Sequence, residues 1–365
     1  MQKPKIEAVT RPPKRFPIVA IGASAGGLEA FEAFFKAMPA DSGIAFVLVA
    51  HLDPTHVSML PELIQKSTKM KVHQVKDGSK VLQNNIYVIP PNKNLEIMNG
   101  SLQLLNITQP RGANLPIDSF FRSLAIDQGS NAVCIILSGT GTDGTLGLKA
   151  IKGELGMVMV QEENSAKYDG MPRSAISTGL VDYVLPVGKI PEQLMKYTKH
   201  SPHKLSPITS GVSGGKPNAL QKIFIILRRR TKHDFSLYKK NTISRRIERR
   251  MNIHQIDDIE KYSNYLQNSE IEVDILFKEL LIGVTNFFRD AKSFEVLQEK
   301  YLNKIFDEKP HDYTVRVWVP GCSTGEVTCP PKVGPCCKLV LKKKERKTKH
   351  GTETLYPRAN HKNTS

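Results

Sequence analysis

Residues 16–38 read FPIVAIGASAGGLEAFEAFFKAM, and this stretch sets the reading of the fold. Its first part, Phe16 to Ile21, is an apolar run of the kind found in a strand covered on both faces. The run ends in Gly22-Ala23-Ser24-Ala25-Gly26-Gly27, after which Leu28, Phe31, Phe34, Phe35 and Met38 recur at helical spacing. A second apolar run, Gly43 to Ala50, follows. Strand, helix, strand is the unit of a parallel sheet, because parallel neighbours need a crossover and a helix is the usual one.

The pattern continues outward. Asn85 to Ile89, Ala132 to Leu137, Met157 to Gln161 and Tyr183 to Leu185 read as further strands, which predicts a doubly wound, mainly parallel α/β sheet with function at the carboxyl ends of its strands. A Ser, Pro and Gly-rich stretch between Ser201 and Ala219 suits a flexible linker. Beyond it, Gln221 to about Lys304 is helical by pattern, and only Tyr313 to Val319 reads as a strand. The expected organisation is a basic extension (1–15), an α/β domain (16–200), a linker (201–217), a small all-α domain (218–304), the start of another α/β domain (305–327) and a basic tail (328–365).

At 365 residues and 40% hydrophobic, the chain is long and apolar enough for two cored domains, which excludes disorder as the main state. A mean hydropathy of -0.29 and the lack of an apolar run of spanning length argue against membrane insertion. Met1 to Pro17 has no apolar signal core, and five cysteines cannot all pair, so a cytoplasmic, reducing setting is expected. The net charge of +17 brings nucleic acid, anionic membrane and acidic protein into view as partners. Nearly half of it sits in residues 328–365, where ten Lys/Arg face two Glu. Cys329, Cys336, Cys337 and His350 in that tail do not have zinc-finger spacing.

Three strand ends carry candidate chemistry. Ser24 sits in a G-x-S-x-G turn between a strand and a helix, a setting that exposes a nucleophile beside a helix N-terminus. His51 follows the second strand, and Asp143 follows the strand Ala132 to Leu137 in the turn SGTGTDG. Together they offer nucleophile, base and orienter. The same residues admit plainer readings: a Gly-rich turn or phosphate cradle at Ser24, a satisfied strand-end histidine at 51, and a helix cap at Asp143. His51, Asp53 and His56 do not make a standard metal set, and Asp53 only imitates the ribose acid of a dinucleotide site. Asp118 and Arg122, one helical turn apart, read as a local ion pair.

At these residues the sequence resembles the CheB-type methylesterase of bacterial chemotaxis, from about Phe16 to Leu194. The matching landmarks are the Ser24 turn, His51, Tyr87-Val88-Ile89-Pro90-Pro91, Pro116 to Ala125, the Asp143 turn and Gly170 to Ala175. The resemblance implies a Ser24-His51-Asp143 triad that hydrolyses γ-glutamyl methyl esters on chemoreceptors without a cofactor, with glutamine deamidation as a related activity. Its oxyanion donors would be backbone amides, that of Ala25 and one in the 139–141 turn, at Thr140 or Gly141. The family often has Thr and Met where this chain has Ala25 and Thr140; backbone amides survive both changes. Only about fifteen residues precede the first strand, so the family's receiver domain is not expected in this sequence.

The later segment Phe235 to Met251, FSLYKKNTISRRIERRM, places Ile243, Ile247 and Met251 on one helical face and basic residues on the others. No base-reading motif or stacking platform accompanies it, which disfavours nucleic acid. It resembles the helical domain of CheR-type receptor methyltransferases, which implies that Arg245, Arg246, Arg249 and Arg250 meet an acidic chemoreceptor. The likeness continues through Leu281 to Asp290 and Arg316 to Glu326, the latter similar to the first S-adenosylmethionine motif of class I methyltransferases. It puts Thr285, Arg289 and Glu326 at cofactor-contacting positions, with Gly283 standing where an asparagine is usual. After Glu326 the sequence shows no further β/α alternation, so methyl transfer is expected to be lost. Two other readings remain open at this point: a nucleotide-binding α/β domain and a non-catalytic receptor-docking scaffold.

Overall fold

The computed structural model describes residues 16–51, 59–107, 114–199, 219–236 and 238–282, with positions 292, 296 and 300–301 and two strands at 315–317 and 339–341. Asp53 and His56 lie outside these residues. The chain divides into a compact unit ending at Ile282 and a second beginning at Gly283.

The first unit opens with β1 (Ile18–Ala23), α1 (Gly27–Ala37), β2 (Ala45–Ala50), α2 (Leu60–Gln65) and β3 (Lys71–Gln74). It continues through β4 (Ser79–Lys80), β5 (Asn85–Val88), β6 (Lys93–Met98), β7 (Ser101–Asn106), α3 (Pro116–Gln128), β8 (Ala132–Ile136) and α4 (Thr145–Gly153). The elements β9 (Met157–Gln161), α5 (Gly170–Ser177), β10 (Tyr183–Leu185) and α6 (Ile190–Lys199) complete its α/β part. Seven strands form one sheet in the order β10-β9-β8-β1-β2-β5-β3, with every pairing parallel.

Why these residues form that sheet follows from burial. All six residues of β1 are buried, and alternate side chains feed two separate cores. Ile18 and Ala20 pack with Phe120, Phe121 and Leu124 of α3 and Leu148 of α4. Val19 and Ile21 pack with Phe31, Phe34 and Phe35 of α1 and Leu194 of α6. Helices on both faces explain the near-continuous apolar strands. The chain runs outward from β1 to β2, then returns to place β8 on β1's other side, so the switch in strand order falls at β1, where a doubly wound sheet opens its crevice.

Two features were not expected from sequence. β3 closes the sheet edge with Lys71, His73 and Gln74 exposed, and β4, β7 and β6 form a separate antiparallel sheet. Both carry interleaved polar residues that an apolar-run criterion passes over.

After the α/β part, the first unit adds α7 (Ala219–Thr231), α8 (Lys240–Ile253), α9 (Ile259–Asn268) and α10 (Glu270–Leu280). Asp258 and Ser269 cap α9 and α10 through amides of the first turn. Ile243, Ile247 and Met251 of α8 pack with Leu227, Tyr262 and Leu276 in a third core. In the second unit, β11 (Val315–Val317) and β12 (Leu339–Leu341) pair in parallel. The second of these was not read from the sequence: Leu-Val-Leu is a short apolar run amid the charges.

Candidate active site

The carboxyl ends of β1, β2 and β8 converge. Ser24 follows β1, His51 follows β2, and Asp143 follows β8 through a six-residue turn. Ser24 Oγ lies 3.2 Å from His51 Nδ1, and His51 Nε2 lies 2.8 Å from Asp143 Oδ2. The imidazole thus turns Nδ1 to the hydroxyl and Nε2 to the carboxylate, opposite to the serine-protease arrangement. Nucleophile, base and orienter remain in one hydrogen-bonded line.

Asp143 is held by backbone. Its Oδ2 accepts the Ile117 amide at 3.0 Å, while Oδ1 accepts the Asp118 amide at 2.9 Å and the Gly144 amide at 2.8 Å. Two of these donors belong to the first turn of α3, where unpaired N–H groups and the helix dipole favour an anion. Asp143 is buried at 2% exposure while the His51 side chain is 35% exposed. The carboxylate is fixed and the histidine edge is open to a reactant.

Ser24 is stapled by the neighbouring turn. Its amide donates to Ser138 O at 3.0 Å; the Ser138 hydroxyl donates to Ala25 O at 2.9 Å and accepts the Tyr168 amide at 3.0 Å. Ser138 N in turn donates to Oε1 of buried Gln161 at 2.9 Å. Gly26 takes φ +71°, and a Cβ there would come within 2.8 Å of Ser138 Oγ. At Gly139 a Cβ would lie 2.3 Å from Met171 Sδ and 3.0 Å from Ser24 Cβ. Both glycines of the paired turns are therefore there for close approach.

The amides of Ala25, Thr140 and Gly141 donate to no acceptor among the described residues, whereas that of Gly139 is taken by Tyr168 O at 2.9 Å. A cleft of about 440 Å³ opens alongside, lined by His51, Pro90, Lys93, Asn114, Leu115 and Thr140. The arrangement provides a hydroxyl with a base, an orienter and free N–H donors beside a cleft: the parts of acyl transfer. Among the described residues no group of three or more His, Cys, Asp or Glu is placed to hold a metal ion.

The family model of the CheB methylesterase matches residues 19–194, which span these three strand ends. Those residues are a CheB methylesterase domain. The CheR methyltransferase all-alpha domain model matches residues 218–281, over α7 to α10. An uncharacterized 104.1 kDa protein of Rhodobacter capsulatus is 36% identical over 288 residues, covering 73% of this chain and 30% of that one. A protein-glutamate methylesterase/protein-glutamine glutaminase of Hydrogenovibrio crunogenus is 32% identical over 187 residues, 50% of this chain and 49% of that one. The chain spans about half the length of such curated methylesterases. The crystal structure of the Thermotoga maritima CheB methylesterase catalytic domain is similar to 50% of this chain and covered over 98% of its own, at 28% identity and a TM-score of 0.47.

Other sequence expectations need correction. Arg246, Arg249 and Arg250 do not face outward: all three are buried against the methylesterase domain and α10, and only Arg245 of the four is exposed. Helix α8 turns Ile243, Ile247 and Met251 into its own core, while Arg246, Arg249 and Arg250, at i, i+3 and i+4, share an adjacent face that meets a second packed surface. Asp118 is buried with Oδ1 accepting the Gly147 amide at 2.6 Å, while Arg122 is exposed, so the local ion pair gives way to a helix-to-helix bond. Burial pushes the Asp118 carboxyl up, with the Asp143 charge adding to it. Thr285, Arg289 and Glu326 lie outside the described residues.

Sequence reasoning overlooked Ser138 and Gln161. The signal for Ser138 was present in its position directly before Gly139, at the end of the β8 run.

Proposed function

We propose that the chain is a cytoplasmic serine esterase that removes methyl groups from γ-glutamyl methyl esters of chemoreceptor proteins in chemotaxis signalling. The observation that carries this reading is the Ser24-His51-Asp143 line on three adjacent strand ends within a CheB methylesterase domain. Ser24 Oγ attacks the ester carbonyl as His51 Nδ1 takes its proton. The imidazolium keeps its Nε2–H on Asp143, which stabilises the new charge without accepting the proton. The carbonyl oxygen, now an oxyanion, is received by the Ala25 amide, in the turn just before α1, and by the Thr140 or Gly141 amide. Each such donor supplies roughly 3 kcal/mol in related chemistry. Collapse of the intermediate expels methanol, which takes the proton from His51. Water, activated by the same histidine, then releases the glutamate.

Relatives named protein-glutamate methylesterase/protein-glutamine glutaminase suggest the amide counterpart, in which ammonia leaves in place of methanol. The test is release of methanol from methylated chemoreceptor, and of ammonia from glutamine-bearing receptor, by wild type and Ser24→Ala. Turnover by wild type with loss of at least a thousandfold in the variant supports the reading. A folded wild type without turnover, or an unimpaired Ser24→Ala, overturns it.

A further inference from the structure

The buried arginines of α8 have no part in the chemistry above, yet they lead toward it. Arg246 donates Nη1 to Lys152 O at 3.1 Å and Nη2 to Gly153 O at 3.2 Å. Arg249 donates Nε and Nη2 to Gly156 O at 3.1 and 2.7 Å. Lys152 and Gly153 are the last residues of α4, where a helix runs out of internal donors; Lys152 O accepts the Leu155 amide at 3.2 Å with Arg246 as a second donor, and Gly153 O is taken by Arg246. Two guanidinium groups therefore take up the carboxyl end of α4 and the chain just beyond it, where the helix dipole also favours positive charge.

Side chains lock the same end. Lys152 pairs with Asp182 and lies 2.8 Å from Glu279 Oε1; Arg249 reaches Asp182 at 2.5 Å and Glu279 at 2.6 Å. Asp182 also accepts the Val158 amide of β9 at 2.9 Å. This node joins α4, β9, α8 and α10. Replacing such a network with apolar residues is often neutral for stability, so stability alone does not account for guanidinium groups aimed at carbonyls.

The other end of α4 is the active site. Gly144 caps the helix directly after Asp143, and the Gly147 amide in its first turn holds Asp118, whose own amide holds Asp143. Nine residues at 1.5 Å each make a rod of roughly 13 Å between the two ends. A displacement at Gly153 is carried to the Asp143 loop because the helix between them is hydrogen-bonded and packed through Leu148 and Ile151.

We propose that Arg246 and Arg249 are positioning residues for the esterase triad: the helical segment braces α4 from behind and thereby holds Asp143 against His51. The catalytic part of this inference rests on the esterase reading; the mechanical part does not. The test uses the full chain with Arg246→Met, Arg249→Met and the conservative Arg246→Lys. Three readouts are taken: hydrogen exchange along α4, the His51 Nε2–H resonance that reports its bond to Asp143, and kcat and KM for methylated receptor.

The expected result for Arg246→Met is faster exchange extending to Gly147 and Leu148, an upfield move of the His51 resonance, and a kcat lowered about tenfold with KM within twofold, partly restored in Arg246→Lys. Faster exchange confined to the last turn of α4, with the resonance and kcat unchanged, overturns the proposal. If Arg246→Met does not fold, Glu279→Gln, which loosens Arg249 without removing a guanidinium, is read by the same criteria. If wild type shows no turnover, the esterase reading fails, while exchange and the His51 resonance still decide whether the brace exists.

Discussion

Asp143 Oδ2 takes both the His51 ring at 2.8 Å and the Ile117 amide at 3.0 Å, so one oxygen ties the half-exposed base to the first turn of α3. With two further amides on Oδ1, the carboxyl is surrounded only by donors. An acceptor-only group is the side chain that satisfies such a site.

Asp143→Asn turns an N–H₂ group toward one set of those donors. The expected outcome is loss of about 10³ to 10⁴ in kcat, with a stability cost of about 1–3 kcal/mol for the unpaired donors, checked by methanol release and urea unfolding.

Gly139→Ala places a methyl group where Met171 Sδ and Ser24 Cβ already sit. Either the Ser24 turn or Met171 must move, and a shift of the nucleophile by about 1 Å costs on the order of 10² in rate. Steady-state kinetics should show the fall in kcat, and the companion Gly139→Ala, Met171→Ala should recover part of it.

Ser138→Ala removes the hydroxyl that donates to Ala25 O and accepts from Tyr168 N. The expected loss is about 1–3 kcal/mol, with reduced kcat and little change in KM; thermal unfolding and kinetics measure the two parts.

Acid should unlock the α8 network. Burial by itself would raise Glu272, but hydrogen bonds from His254 and Arg250 hold its carboxyl at about 2 against an ordinary 4.5. Burial likewise opposes ionisation of Asp182, and Arg249, Lys152 and Arg250 outweigh it and keep the carboxyl well below the usual range. Both folded values lie below the unfolded ones, so the stability they contribute is full above about pH 5 and is lost as pH falls toward 2. Glu272 alone accounts for about 3 kcal/mol. Unfolding free energy measured from pH 6 to 2.5 should drop steeply, and Glu272→Gln should flatten that slope.

How much of this was legible in the sequence depends on the kind of residue. The strands β9 and β10 lie where their apolar runs put them, and β1, β2, β5 and β8 are offset by no more than two residues at either end; all but the half-exposed edge strand β10 are largely buried, and strands covered on both faces leave an uninterrupted signal. The Ser24 turn, His51 and Asp143 were legible as ends of such runs. The edge strand β3 was not: Lys71 and His73 break the pattern because one side of the sheet edge meets water. Nor was the fate of Arg246, Arg249 and Arg250. A basic residue ordinarily marks a solvated face, and its burial depends on acids from α10 and carbonyls from α4, distant in sequence from α8.

Lys152 carries a consequence for how the two domains are inherited. Its side chain is 1% exposed and its two carboxylate partners come from different segments, Asp182 from the methylesterase domain and Glu279 from the helical segment. Moved alone by recombination, the esterase would present that lysine on open surface with half of its counter-charge gone, while the helical segment would carry away a buried glutamate and three arginines. In this chain the two segments are therefore packed through one shared ion cluster, and relatives that carry the methylesterase domain without the helical segment are expected to have a residue at ease in water in place of Lys152.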